Sequence, residues 1–143
     1  MIIKNKMRAF LSIMLVLVCG VSINASAQAI NAKGQAIVGL GNMDTKKAAG
    51  TTVDAVLAQP RLTAASGYVV TEFKVSIAAN DKTEKTGIAY FGPYTIKGAE
   101  LTDEVKTIMK KYVNAKLIFE DIKVMSGNQT LKGSPMTVIC KAN

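Results

Sequence analysis

The segment YVVTEFKVSI, Tyr68–Ile77, carries a period-two alternation in side-chain character. Val69, Thr71, Phe73, Val75 and Ile77 share one parity, and Glu72, Lys74 and Ser76 share the other. A helix would scatter these residues around its circumference, whereas a strand puts the two sets on opposite faces. The chain is therefore expected to build a sheet with one face on a core and one face toward water. The polar run Ala78–Gly87 predicts a turn, and Ile88–Gly92 predicts the returning strand. The following PYTIKG is punctuated by Pro93 and Gly98.

A second periodicity appears in LTDEVKTIMKKY, Leu101–Tyr112. Leu101, Val105, Ile108, Met109 and Tyr112 form one apolar stripe at helical spacing, the pattern of a core-facing helix. Thr102 suits the N-cap. Asp103 and Glu104 in the first turn, with Lys110 and Lys111 in the last, complement the helix dipole. Upstream, Ala36–Leu40 is a candidate short strand, and Thr52–Pro60 reads equally as strand or short helix. Downstream come a strand over Lys116–Met125, a turn over Ser126–Thr130 and a last strand over Met136–Cys140. Several antiparallel strands with one helix inserted before the last ones give an α+β fold, a small sandwich or barrel-like sheet. Three parts are expected: residues 1–27 as a signal peptide, 28–50 as a flexible or partly ordered lead-in, and 51–143 as the β-rich domain.

The strand LIFEDIKV breaks its own alternation. Leu117 and Phe119 share one parity, Ile122 and Val124 the other, and the phase changes at Glu120-Asp121. A β-bulge there would keep both pairs on the apolar face. On a regular strand, adjacent carboxylates point to opposite faces and do not flank one bond as carboxylate-pair catalysis requires. Glu120 and Asp121 are therefore read as a bulge or a charged strand edge.

Other chemistry is sparse. The chain has no His, which excludes Ser-His-Asp and Cys-His arrangements and removes the commonest nitrogen ligand for zinc. No cofactor and no metal site is expected. GLGNMD, Gly39–Asp44, lacks the third glycine of a phosphate loop. NQT, Asn128–Thr130, fits a glycosylation sequon, a motif that also arises by chance. Tyr90, Phe91 and Tyr94 surround a Gly-Pro turn with Lys97 nearby. Aromatics beside a basic residue suit a partner-binding surface; the alternative is that two of them enter the core.

At the N-terminus, Lys4, Lys6 and Arg8 precede the apolar run Ala9–Ile23 and the small residues Ala25-Ser26-Ala27. This is the pattern of a secretory signal cut before Gln28. The run is shorter than the roughly 20 residues of a membrane span, and no later segment spans either. Cys19 follows Val18, where lipid attachment favours a small residue. The leader holds three basic residues and no acid, so the remainder carries 15 basic and 10 acidic residues, a net +5. That charge is spread along the chain, and no dense basic run points to nucleic acid. Cys140 alone follows the leader, so no internal disulfide is expected and a small buried residue is its simplest reading.

Together these segments resemble the C-terminal domain of the gliding-motility and type IX secretion protein GldM (PorM). In that family a leading segment passes through a loop into a strand of the VTSFKV type, matched here by Val70–Val75 after Val53–Tyr68. The family then has a glycine-containing loop, a helix opened by Leu-Thr or Leu-Ser, and a strand reading like VYFEDIKV. Leu101-Thr102 and Leu117–Val124 correspond, and Gly127 and Pro135 mark the following turn and last strand. The likeness runs from about Gly34 onward. The family's turn has Asp-Gly where this chain has Ser126-Gly127-Asn128, and GldM's membrane helix and further periplasmic domains have no counterpart in these residues. The resemblance implies a β-rich periplasmic module from a bacterium of the Bacteroidetes type, whose partners are envelope proteins such as outer-membrane-side secretion or gliding components.

The sequence thus reads as an exported, non-enzymatic protein–protein interaction module of the cell envelope, periplasmic, outer-membrane associated or secreted. The alternative is a small structural or adhesive envelope protein that self-associates through a strand edge. The contact residues expected are Tyr90, Phe91, Tyr94 and Lys97.

Overall fold

The computed structural model describes residues 29–43 and 50–142. Residues 1–27, expected as a signal peptide and including Cys19, and Asp44 lie outside the described residues. In chain order the elements are β1 (Val38–Leu40), β2 (Thr51–Thr52), α1 (Val53–Ala58), β3 (Leu62–Ala64), β4 (Val69–Asn80), β5 (Ile88–Lys97), α2 (Asp103–Lys111), β6 (Lys116–Ser126), β7 (Gln129–Lys132) and β8 (Met136–Lys141). The fold is α+β and mainly antiparallel.

One sheet dominates, in the order β2-β8-β6-β4-β5. The long strands β4 and β6 pair antiparallel at its centre. The far edge of β6 is shared: its first half pairs with β8 and its second half with β7. β5 pairs antiparallel with β4 and forms an outer edge. Since β5 and β6 are both antiparallel to β4, they run parallel to each other, and α2 makes the crossover between them. β1 and β3 form a separate two-stranded antiparallel ribbon.

The core lies on one face of the large sheet. Phe73, Val75, Ile77, Leu117, Phe119, Ile122 and Val124 from β4 and β6 are buried there. Against them pack Val53 and Val56 of α1, Leu101, Val105 and Met109 from the α2 stripe, and Val38, Leu40 and Leu62 from the ribbon. Phe73 and Phe119 meet with ring centroids 5.9 Å apart and tilted by 48°. Burying an aromatic or large aliphatic side chain of this kind stabilises by about 1.5–3 kcal/mol. Residues 29–43, expected as lead-in, contribute Ala36, Val38 and Leu40 to this core.

Both helices among the described residues begin at a threonine. Thr52 Oγ1 accepts from Ala55 N–H at 3.2 Å, which resolves Thr52–Pro60 as a two-residue strand followed by a helix. Thr102 Oγ1 accepts from Val105 N–H at 3.5 Å, as the sequence predicts. The apolar stripe of α2 faces the core with Ile108 and Tyr112 at its margin.

Three local expectations need correction. Val69 is exposed and Thr71 half-exposed, while Val70 is buried, because the β4–β6 register shifts between Val70 and Glu72. Strand β5 does not stop at Gly92: it absorbs Gly92-Pro93 as a bulge and continues to Lys97. Pro93 is compatible with a strand here because β5 is an edge. Finally, the turn after β6 is shorter than expected, and Gln129–Lys132 folds back as β7.

Candidate functional site

The phase break in LIFEDIKV is a β-bulge. Lys74 faces Glu120 and Glu72 faces Lys123, so two steps along β4 correspond to three along β6. Asp121 takes the extra position with φ of 47°, the left-handed region that Asp tolerates better than most residues. Leu117 and Phe119 before the bulge, and Ile122 and Val124 after it, are consequently all buried. The bulge also changes the fate of the two carboxylates. Regular alternation would separate them, yet Glu120 and Asp121 are both exposed and border the same groove.

That groove, about 600 Å³, lies on the water-facing side of the sheet. Lys74, Glu120, Asp121, Lys132, Pro135 and Gln35 are among the residues that line it. Lys74 Nζ meets Asp121 Oδ2 at 2.8 Å. Glu72 is clasped between two lysines, with Lys123 Nζ at 2.8 Å from one carboxylate oxygen and Lys97 Nζ on the other. Hydrogen bonds from Lys123 and Lys97 depress the Glu72 carboxyl to about 2. Lys74 likewise holds the Asp121 carboxyl low, and Asp121 raises Lys74 in return. A general acid requires a pKa moved upward toward neutrality; Glu72 and Asp121 are moved the opposite way. They act as fixed acceptors that position ammonium groups across β4, β5 and β6.

The four residues expected at a contact divide between the two faces of β5. Tyr90 is 72% exposed on the open face. Phe91 packs on the Tyr112 ring at 5.4 Å between centroids, and Tyr94 also packs against the core. Lys97, on the open face near the far end of β5, pairs with Glu72. The tertiary structure therefore leaves Tyr90 and Lys97 accessible and uses Phe91 and Tyr94 in packing. The bulge separates the two halves of the strand: Gly92 has φ of 93°, and a Cβ there would lie 2.8 Å from Val75 O.

Compared with protein-family models, curated proteins and solved structures, the chain finds no match.

The remaining sequence candidates have structural surroundings. Cys140 is buried in the core, and desolvation pushes its thiol up to about 11. Gly41 of GLGNMD turns the chain after β1, where its N–H donates to Arg61 O at 2.8 Å. Asn128 is exposed at the β6–β7 turn. Among the described residues, no cluster of three or more His, Cys, Asp or Glu is placed to hold a metal, and no helix is long and apolar enough to cross a membrane. Sequence reasoning missed Glu72, Lys74, Lys123 and Lys132 as a group. Their alternation marks each as surface, but only strand pairing brings them together.

Proposed function

We propose that this protein is an exported, non-enzymatic interaction module of the cell envelope, of the kind its likeness to the GldM C-terminal domain implies, and that it contacts outer-membrane-side secretion or gliding components. The observation that carries this reading is the asymmetry of the large sheet. One face is sealed by α1, α2 and the β1–β3 ribbon, while the other presents the Lys97–Glu72–Lys123 and Lys74–Asp121 ion pairs beside the groove. Fixed charges of both signs on a firm sheet favour orientation and selection of a protein partner more than raw affinity.

Self-association through β5 is the second reading, favoured by the position of that strand at the sheet edge. The Gly92-Pro93 bulge and terminal Lys97 oppose it, because both are devices that blunt edge-to-edge pairing. The test is photocrosslinking in native envelopes. A crosslinker replacing Lys123 or Thr137, on the open face, is expected to trap the same discrete envelope protein. One replacing Glu104, on α2, is expected to trap none. Adducts with only a second copy would support self-association, and equal labelling from all three positions would refute a dedicated contact face.

A further inference from the structure

An antiparallel edge strand turns the backbone N–H and C=O of alternate residues away from its neighbour. Hydrogen bonds at both ends determine which residues these are in β5. Asp81 N–H donates to Gly87 O at 2.9 Å, so by alternation Ala89 and Phe91 face β4 and Ile88 and Tyr90 face outward. Gly98 N–H donates to Thr71 O at 2.7 Å, so Tyr94 and Ile96 face β4 and Thr95 and Lys97 face outward.

The outward positions are not equivalent. At Ile88 the edge is already closed: Thr86 Oγ1 accepts from its N–H at 3.4 Å and donates to its C=O at 3.1 Å. Tyr90 is isolated between that closure and the bulge, where Pro93 has no N–H to offer. Thr95 and Lys97 are successive outward residues, and their backbone groups bond to no other strand among the described residues. Their side chains lie on the open face, while Tyr94 and Ile96 lie on the core side.

We propose that Thr95–Lys97 is a strand-addition site for an extended partner segment that alternates acidic and apolar residues. This rests on the reading of the chain as an interaction module and names where it binds and what it binds. A strand added here would hydrogen-bond to Thr95 and Lys97, and the residue opposite Lys97 would point to the open face beside an ammonium whose side chain is 81% exposed. Glu72 already holds that ammonium, but it is shared with Lys123, so two lysines face one carboxylate, the spot keeps a net positive charge and an acid is favoured there. The intervening residues would point to the core side and extend the apolar surface of Tyr94 and Ile96. A second copy fits poorly. A two-fold axis at Lys97 would oppose two lysines, and one at Thr95 would set Lys97 against Pro93, which has no donor. An axis at Ile96 would add a second lysine and no acid.

The test uses the isotope-labelled full chain and two capped synthetic pentapeptides, one alternating valine with aspartate and the other valine with lysine. Amide exchange is followed by NMR. The aspartate peptide is expected to slow exchange at Thr95 and Lys97 and leave Ile88 unchanged. The lysine peptide should bind about two- to fivefold more weakly for each opposed pair. Thr95→Pro removes an outward donor that β4 does not use, so it should weaken the aspartate peptide about tenfold while the circular dichroism stays native. Equal binding of both peptides, protection elsewhere, indifference to Thr95→Pro, or no protection at millimolar peptide would each overturn the proposal. Protection of Thr95 and Lys97 that rises with protein concentration alone would assign the edge to a second copy. Should the peptides fail while open-face crosslinks persist, the interaction-module reading survives and only the edge site is lost.

Discussion

Deleting Asp121 should leave this fold standing, whereas deleting Ile118 from the same strand should not. The distinction follows from the register. Asp121 is the additional residue between the Lys74–Glu120 and Glu72–Lys123 pairs, so removing it leaves two steps opposite two. Phe119 would remain inward, Glu120 outward and Ile122 inward, with no side chain changing face. The deletion removes a left-handed backbone position and one exposed ion pair to Lys74, two effects of opposite sign. We expect stability within about 1 kcal/mol of the parent, the range of changes that leave the core intact. Deleting Ile118 instead forces Leu117, which is fully buried, out of the core and turns Lys116 inward. Exposing the leucine costs about 1.5–3 kcal/mol, and burying the lysine raises the loss beyond about 3 kcal/mol. With total stability of about 5–15 kcal/mol, that is a large fraction. Urea unfolding followed by circular dichroism checks it. At a slope of about 1–3 kcal/mol per molar urea, the Ile118 deletion should lower the midpoint by about 1–3 M, and the Asp121 deletion by less than about 1 M. Equal losses for the two deletions would refute the assignment of the bulge.

Gly92→Ala should destabilise by about 1–3 kcal/mol, read as a lower melting temperature, because the added methyl group meets Val75 O at 2.8 Å with φ at 93°. Glu72→Gln should reshape the acid limb of stability: the depressed carboxyl supports the fold fully above its ordinary value of 4.5 and loses that support as pH falls toward about 2, so the gap between parent and variant should close across that window in pH-dependent unfolding. The Cys140 thiol should resist a thiol-specific maleimide at pH 7.5 in the native state and react promptly in urea, since burial both hides it and holds it protonated.

What was legible in the sequence was what depends on near neighbours. The α2 cap and stripe, the β4 core, and the phase break at Glu120-Asp121 all follow from side-chain period and local hydrogen bonding. Strand β7 escaped because TLK between polar residues has too little apolar pattern to register, and it forms by pairing with Lys123–Ser126. The end of β5 was misplaced because Pro93 normally breaks strands and only its edge location makes it harmless. The aromatic group of β5 looked like one surface because sequence proximity says nothing about which ring faces Tyr112 and which faces water.

By itself the sequence determined the α+β class, the amphipathic helix α2, the two-faced strand at the centre and the break of alternation at Glu120-Asp121, because alternation and capping act over a few residues. Only the tertiary structure decided that Glu72, Lys97 and Lys123 meet across three strands, that both bulge carboxylates share one face, and that the open edge falls at Thr95 and Lys97. Those outcomes depend on which strand lies beside which and in what register, and that is selected by burial of the whole apolar face at once.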